Sequence, residues 1–102
     1  MPALNLPPGV TLEQVLGTHT REPPVHDVTV FDNLASTGDP ASIQRLVYWV
    51  EPQSVCDDIA AHHGWAILSR VLQGIARAAS KHKVHMGSRV ASVAGSLGLP
   101  RL

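Results

Sequence analysis

Leu68, Val71, Leu72, Ile75 and Ala79 recur at spacings of three, one, three and four between Trp65 and Lys83. Apolar residues in that rhythm fall on one face of an α-helix, whose turn is about 3.6 residues, and on no face of a strand. Arg70, Gly74, Arg77 and Lys81 fall on the opposite face at spacings of four, three and four. A long amphipathic helix must bury its apolar side, so the chain is expected to pack helices against it.

Composition supports a helical core. The chain has 102 residues and is 44% hydrophobic but only 4% aromatic. Its core must come mostly from Val, Leu, Ile and Ala, which suits helix packing better than an aromatic β-sandwich. A chain of this length fits one domain with a modest core. The expected fold is mainly α, a small bundle of three or four helices with an extended Pro-rich N-terminal arm. A single short strand is possible, and a small α+β fold is the alternative.

Residues 1 to 24 are expected to be an arm. Pro2, Pro7, Pro8 and Gly9 keep its start extended, and Pro23 and Pro24 end it. Between them "TLEQVLG" (11–17) carries a capping box, Thr11 with Gln14, and a stop at Gly17. "VHDVTVFD" (25–32) is β-branched and roughly alternating, so it is the strand candidate. "NLASTG" (33–38) is expected as a loop.

Asp39 followed by Pro40 marks a helix start. Ile43, Leu46, Val47 and Val50 then repeat on one face. Residues 45 to 51 also suit a strand, since they are β-branched and aromatic. After Pro52, Ser54 and Asp57 have the spacing of a second capping box. The helix they begin stops at Gly64 or continues to about Lys83. Gly87 is expected to stop the long helix. Residues 25 to 87 form the helical core domain. Residues 88 to 102 form a small-residue-rich tail, with a weak helix over 88 to 94.

Charge is divided along the chain. Residues 1 to 58 hold all eight carboxylates against two arginines, a net of −6; residues 59 to 102 hold six cations and no carboxylate, +6. Such asymmetry points to an anionic partner. Arg70, Arg77, Lys81, Lys83 and Arg89 are the candidate partner-binding residues. They are expected to dock an acidic partner protein or the acidic half of a second copy, so the chain is read as a non-enzymatic interaction or assembly protein. The basic face is expected to point away from the acids of its own domain.

A first alternative is a small nucleic-acid-binding protein. Arg70, Arg77 and Lys81 span about 16 Å of helix, enough to follow phosphates. The region lacks interleaved aromatics, Asn or Gln for reading bases, so such binding would be non-specific. A second alternative, an accessory subunit of an enzyme, rests on the histidines alone.

The signatures of catalysis and metal binding are weak. Cys56 would sit in the first turn of its helix, where the dipole lowers a thiol pKa. Asp57 and Asp58 oppose that effect, and no histidine is placed beside it. "GSLGLP" lacks the Lys-Ser/Thr of a phosphate-binding loop. His82 and His85 stand at i, i+3, the only spacing that suggests shared ligation, and solvated histidines explain them more simply. No cofactor is expected. A single cysteine forms no internal disulfide, no apolar run reaches the length of a membrane span, and no secretion signal opens the chain. A cytoplasmic location is the default expectation.

Overall fold

The computed structural model describes residues 23–37 and 39–100. The expected N-terminal arm up to residue 22, including the short helix over 11–17, lies outside them, as do the last two residues. Five α-helices follow one another: α1 (Thr29–Thr37), α2 (Pro40–Val50), α3 (Gln53–His63), α4 (Trp65–His82) and α5 (Gly87–Leu97). The chain is therefore mainly α, with no strand among the described residues. Among the described residues there are five helices, against the three or four expected.

Helix α1 overturns the strand expected over 25–32 and the loop expected over 33–38. The same residues that alternate also repeat at helical spacing, with Val28 and Phe31 both buried. Asp27 accepts the Thr29 N–H at 3.2 Å and so caps the start of the helix. At its end, the hydroxyls of Ser36 and Thr37 donate to the Asn33 and Leu34 carbonyls. A strand without a partner leaves its backbone groups unpaired, whereas a helix satisfies them internally. Local β-propensity yields to that requirement.

Helix α2 begins as its sequence signals. Asp39 accepts the Ala41 N–H at 3.0 Å, and Pro40 occupies the first turn. Ile43, Leu46, Val47, Trp49 and Val50 are buried, so residues 45 to 50 are helix and not strand. Trp49 meets Phe31 of α1 edge to face, with ring centroids 5.8 Å apart.

Helix α3 starts two residues earlier than its supposed capping box, with Pro52 and not Ser54 at the N-cap. Ser54 lies inside the helix, and Pro52 precedes it with no side-chain cap. Cys56 and Ile59 face the core. Gly64, at φ 92° and ψ 159°, then separates α3 from α4. That conformation is strained for any residue with a Cβ, so the continuous helix is excluded in favour of a break at glycine.

Helix α4 is the central element. It contacts each of the other four helices and buries Leu68, Val71, Ile75, Ala76 and Ala79. It ends at His82, five residues before the stop expected at Gly87. Lys83 takes the left-handed conformation (φ 57°, ψ 42°). The Lys83 N–H donates to the Ser80 carbonyl and the Val84 N–H to the Ala79 carbonyl at 2.9 Å. This is a Schellman ending with lysine in the position glycine usually holds.

Gly87 opens a helix instead of closing one. The weak helix expected over 88–94 runs from Gly87 to Leu97, and its Val90 and Ala94 are fully buried. Gly98 (φ 72°) closes it with a second Schellman pair, Gly98 N–H to Gly95 and Leu99 N–H to Ala94. Small residues let this helix lie close against α4.

Candidate interaction surface and cleft

The sequence-derived basic residues fall into two groups. Arg70 and Arg89 are engaged within the fold. Arg77, Lys81 and Lys83 are exposed, and among the described residues none of these three has an ion pair.

Arg70 projects from α4 toward α1, where its Nη1 donates to Asp32 Oδ2 at 2.9 Å. The expectation that the basic face points away from acids of the same domain therefore fails at this residue. The reason is α1: as a helix it packs alongside α4 and presents Asp32 there. Both side chains remain about half exposed, so the pair contributes little to stability, about 0–1 kcal/mol.

Arg89 sits near the start of α5. Its Nε and Nη2 donate to the Glu51 carbonyl oxygen at 3.3 Å each, and Nη2 also donates to Gln53 Oε1 at 2.9 Å. In return, the Glu51 carboxylate accepts the Arg89 backbone N–H at 3.2 Å and the Ser88 hydroxyl. The bond from the Arg89 N–H satisfies a backbone donor that α5 itself cannot, because Met86 before it supplies no side-chain cap. The Ser88 hydroxyl, followed by the Arg89 N–H, holds the Glu51 carboxyl below its ordinary range.

Arg77, Lys81 and Lys83 gather at the C-terminal end of α4. From Arg77 to Lys83 the helix rises only about 9 Å. The connection that follows alternates in and out: Val84 and Met86 are buried, whereas Lys83 and His85 are exposed. His82, half-buried, ends the helix, and His85 lies beyond it in the connection. Their three-residue spacing is thus not a helical face. His85 Nδ1 accepts the Gly87 N–H at 3.3 Å, which uses one of its two ring nitrogens. Among the described residues no group of three or more His, Cys, Asp or Glu side chains is placed to hold a metal ion.

Three other histidines meet at the far side. The rings of His26 and His62 stand edge to face with centroids 4.1 Å apart. His63 Nε2 donates to the Val25 carbonyl at 2.9 Å and ties the segment before α1 to the end of α3. Nothing in the sequence joins His26 to His62, because the contact exists only once α1 and α3 are placed.

Cys56 is buried, and its thiol donates to the Val50 carbonyl at 3.4 Å. Burial pushes the thiol pKa up, more than the nearby Arg89 charge lowers it. A neutral, hydrogen-bonded thiol is a poor nucleophile.

A cleft of about 350 Å³ opens between α3, α4 and α5. Gln53 and Cys56 line it from α3; Trp65, Leu68, Ser69, Leu72 and Gln73 from α4; Arg89, Val93, Ser96 and Leu97 from α5. Of these, Trp65 is 68% exposed. The cleft escapes sequence reading because its walls lie on three helices.

No protein-family model, no curated protein and no solved structure matches the chain.

Proposed function

We propose that the chain is a non-enzymatic interaction and assembly protein that docks an acidic protein partner, or the acidic half of a second copy, on the cationic end of α4. Arg77, Lys81 and Lys83 make the contact. The observation that carries this reading is their exposure without any ion pair among the described residues, on a chain with no carboxylate beyond residue 58.

A cation in the last turn of a helix also complements its dipole, which gives Lys81 a purely local use. Lys83 is harder to explain that way. It is the only non-glycine residue at positive φ among the described residues, in a position where glycine would be relaxed. A cation at a strained position favours a use for the charge. Phosphates of a nucleic acid are a less suitable partner, because three cations over about 9 Å give a short footprint.

The test is a triple reversal, Arg77→Glu, Lys81→Glu and Lys83→Glu, leaving Arg70 and Arg89 in their internal bonds. Thermal melting should be almost unchanged. Native mass should lose any self-association, and binding to an acidic polypeptide such as polyglutamate should be lost. Unchanged native mass and unchanged binding would overturn the reading. Binding of a short DNA duplex by the wild type, without binding of polyglutamate, would favour nucleic acid instead.

A further inference from the structure

We propose that the cleft between α3, α4 and α5 is a binding site for a medium-chain alkyl carboxylate, with the carboxylate on Arg89 and the chain lying toward Trp65 and Leu97. Three observations lead there. The first is size and lining. About 350 Å³ lies at the lower end of the range for small-molecule sites, and the lining mixes Trp65, Leu68, Leu72, Val93 and Leu97 with the polar Gln53, Ser69, Gln73, Ser96 and Arg89.

The second is the state of Arg89. Its Nε and Nη2 are bound to neutral acceptors, the Glu51 carbonyl and the Gln53 amide oxygen. Among the described residues nothing accepts from Nη1. The Glu51 carboxylate is held instead by the Ser88 hydroxyl and the Arg89 backbone N–H, and forms no ion pair with the guanidinium. No carboxylate lines the cleft. A fixed guanidinium with a free edge, facing an acid-free cleft, is complementary to a carboxylate.

The third is how polarity is distributed. Four residues connect α4 to α5, so the two helices form a hairpin and run back along one another. On the α5 wall Arg89, Val93 and Leu97 follow one another at spacings of four, about 12 Å of helix from first to last. Arg89 is the only charged residue in the lining, so that wall carries its charge at one end and apolar side chains beyond it, the shape of a single-chain amphiphile. Trp65 lines the cleft from α4 with an exposed ring that an alkyl chain would cover.

Calorimetry and tryptophan fluorescence on the full chain test this, with octanoate, decanoate and dodecanoate below their micelle thresholds, beside decanol and decylammonium. Decanoate should bind one site saturably and change the emission of Trp65, a change absent in Trp65→Phe. Each added methylene should tighten binding about four-fold until the cleft is full. Decanoate should bind about ten-fold or more tighter than decylammonium.

Ser69→Phe, at an exposed position on the wall of the cleft, should weaken decanoate about ten-fold or more while circular dichroism is unchanged. Arg89→Gln keeps an amide donor for the Glu51 carbonyl but removes the charge, so the preference for decanoate over decanol should vanish. If that variant does not fold, the headgroup series and Ser69→Phe decide alone. Absence of saturable binding overturns the proposal. So do equal affinities for decanoate and decylammonium, affinity independent of chain length, or full binding by Ser69→Phe. If the wild type is a dimer that Ser69→Phe dissociates, and decanoate does not bind, a second copy fills the cleft and the proposal also fails.

Discussion

Glu51 and Arg89, 38 residues apart, hold each other in both directions: the Glu51 carboxylate accepts the Arg89 backbone N–H at 3.2 Å, and the Arg89 guanidinium donates to the Glu51 carbonyl. Glu51 immediately follows α2, and Arg89 lies in the first turn of α5. A side chain from one helix end thus acts as the missing N-cap of another. This single pair ties the start of α5 to the end of α2.

Glu51→Gln should destabilise the protein by about 0.5–2 kcal/mol at neutral pH, the usual cost of a lost cap. The carboxyl titrates below its ordinary value of 4.5 in the folded chain. Its folded-state value is therefore lower than its unfolded one. The stabilisation it supplies is full above 4.5 and disappears as pH falls through the folded-state value. Urea denaturation across that range should find the gap between wild type and Glu51→Gln closing toward acid. A gap that stays constant with pH would show that the charge of Glu51 is not what matters.

Gly87→Ala should cost about 1–3 kcal/mol. Gly87 has φ 67°, and a Cβ there would stand 3.0 Å from Glu51 Oε1. Two penalties combine, backbone strain and displacement of the capping carboxylate. In the double variant with Glu51→Ala the second penalty is relieved, so the two losses should add to less than their sum. Strict additivity in denaturant titrations would mean the cap and the glycine are independent.

Lys83→Gly should raise stability by about 0.5–1 kcal/mol, because glycine adopts the left-handed conformation without the penalty a Cβ imposes. The same change removes a cation from the proposed docking surface and should weaken binding to an acidic polypeptide. Opposite movements of melting temperature and binding would separate the structural from the functional use of this position. If both rise or both fall together, the two uses are not distinct.

Ile75→Ala should cost about 2–5 kcal/mol, the range for emptying a packed core position. Ile75 is 1% exposed. Leu72, on the same apolar face, is only half-buried and lines the cleft. Leu72→Ala should cost less, about 1–2 kcal/mol. Equal losses from the two substitutions would mean that the cleft beside Leu72 closes in solution.

Much of α4 was legible from its residues, because an amphipathic helix writes its pattern over positions three and four apart. The start of α2 was legible for the same reason: Asp39 and the Ala41 N–H it accepts are two residues apart. Proline likewise acts on its own backbone, so the break at Pro52 is a local fact, whereas at Gly64 the residues allowed either a stop or a continuous helix. The count of basic residues and the absence of late carboxylates are properties of the chain alone.

What the tertiary structure decided are the matters settled between residues far apart. "VHDVTVFD" carries a pattern that suits a strand or a helix equally. Burial of Val28 and of Phe31, the latter against Trp49, with no strand among the described residues to pair with, selects the helix. Gly87 carries the mark of a helix end, and only the approach of Glu51 turns it into a beginning. Arg70 and Arg89 look like their neighbours Arg77 and Lys81 in sequence. They differ because Asp32, Glu51 and Gln53 lie 36 to 38 residues away along the chain and arrive only when the helices pack. Helical periodicity is set by hydrogen bonds across about four residues, so sequence alone determines it. Which cation is left free for a partner depends on contacts that exist only after folding.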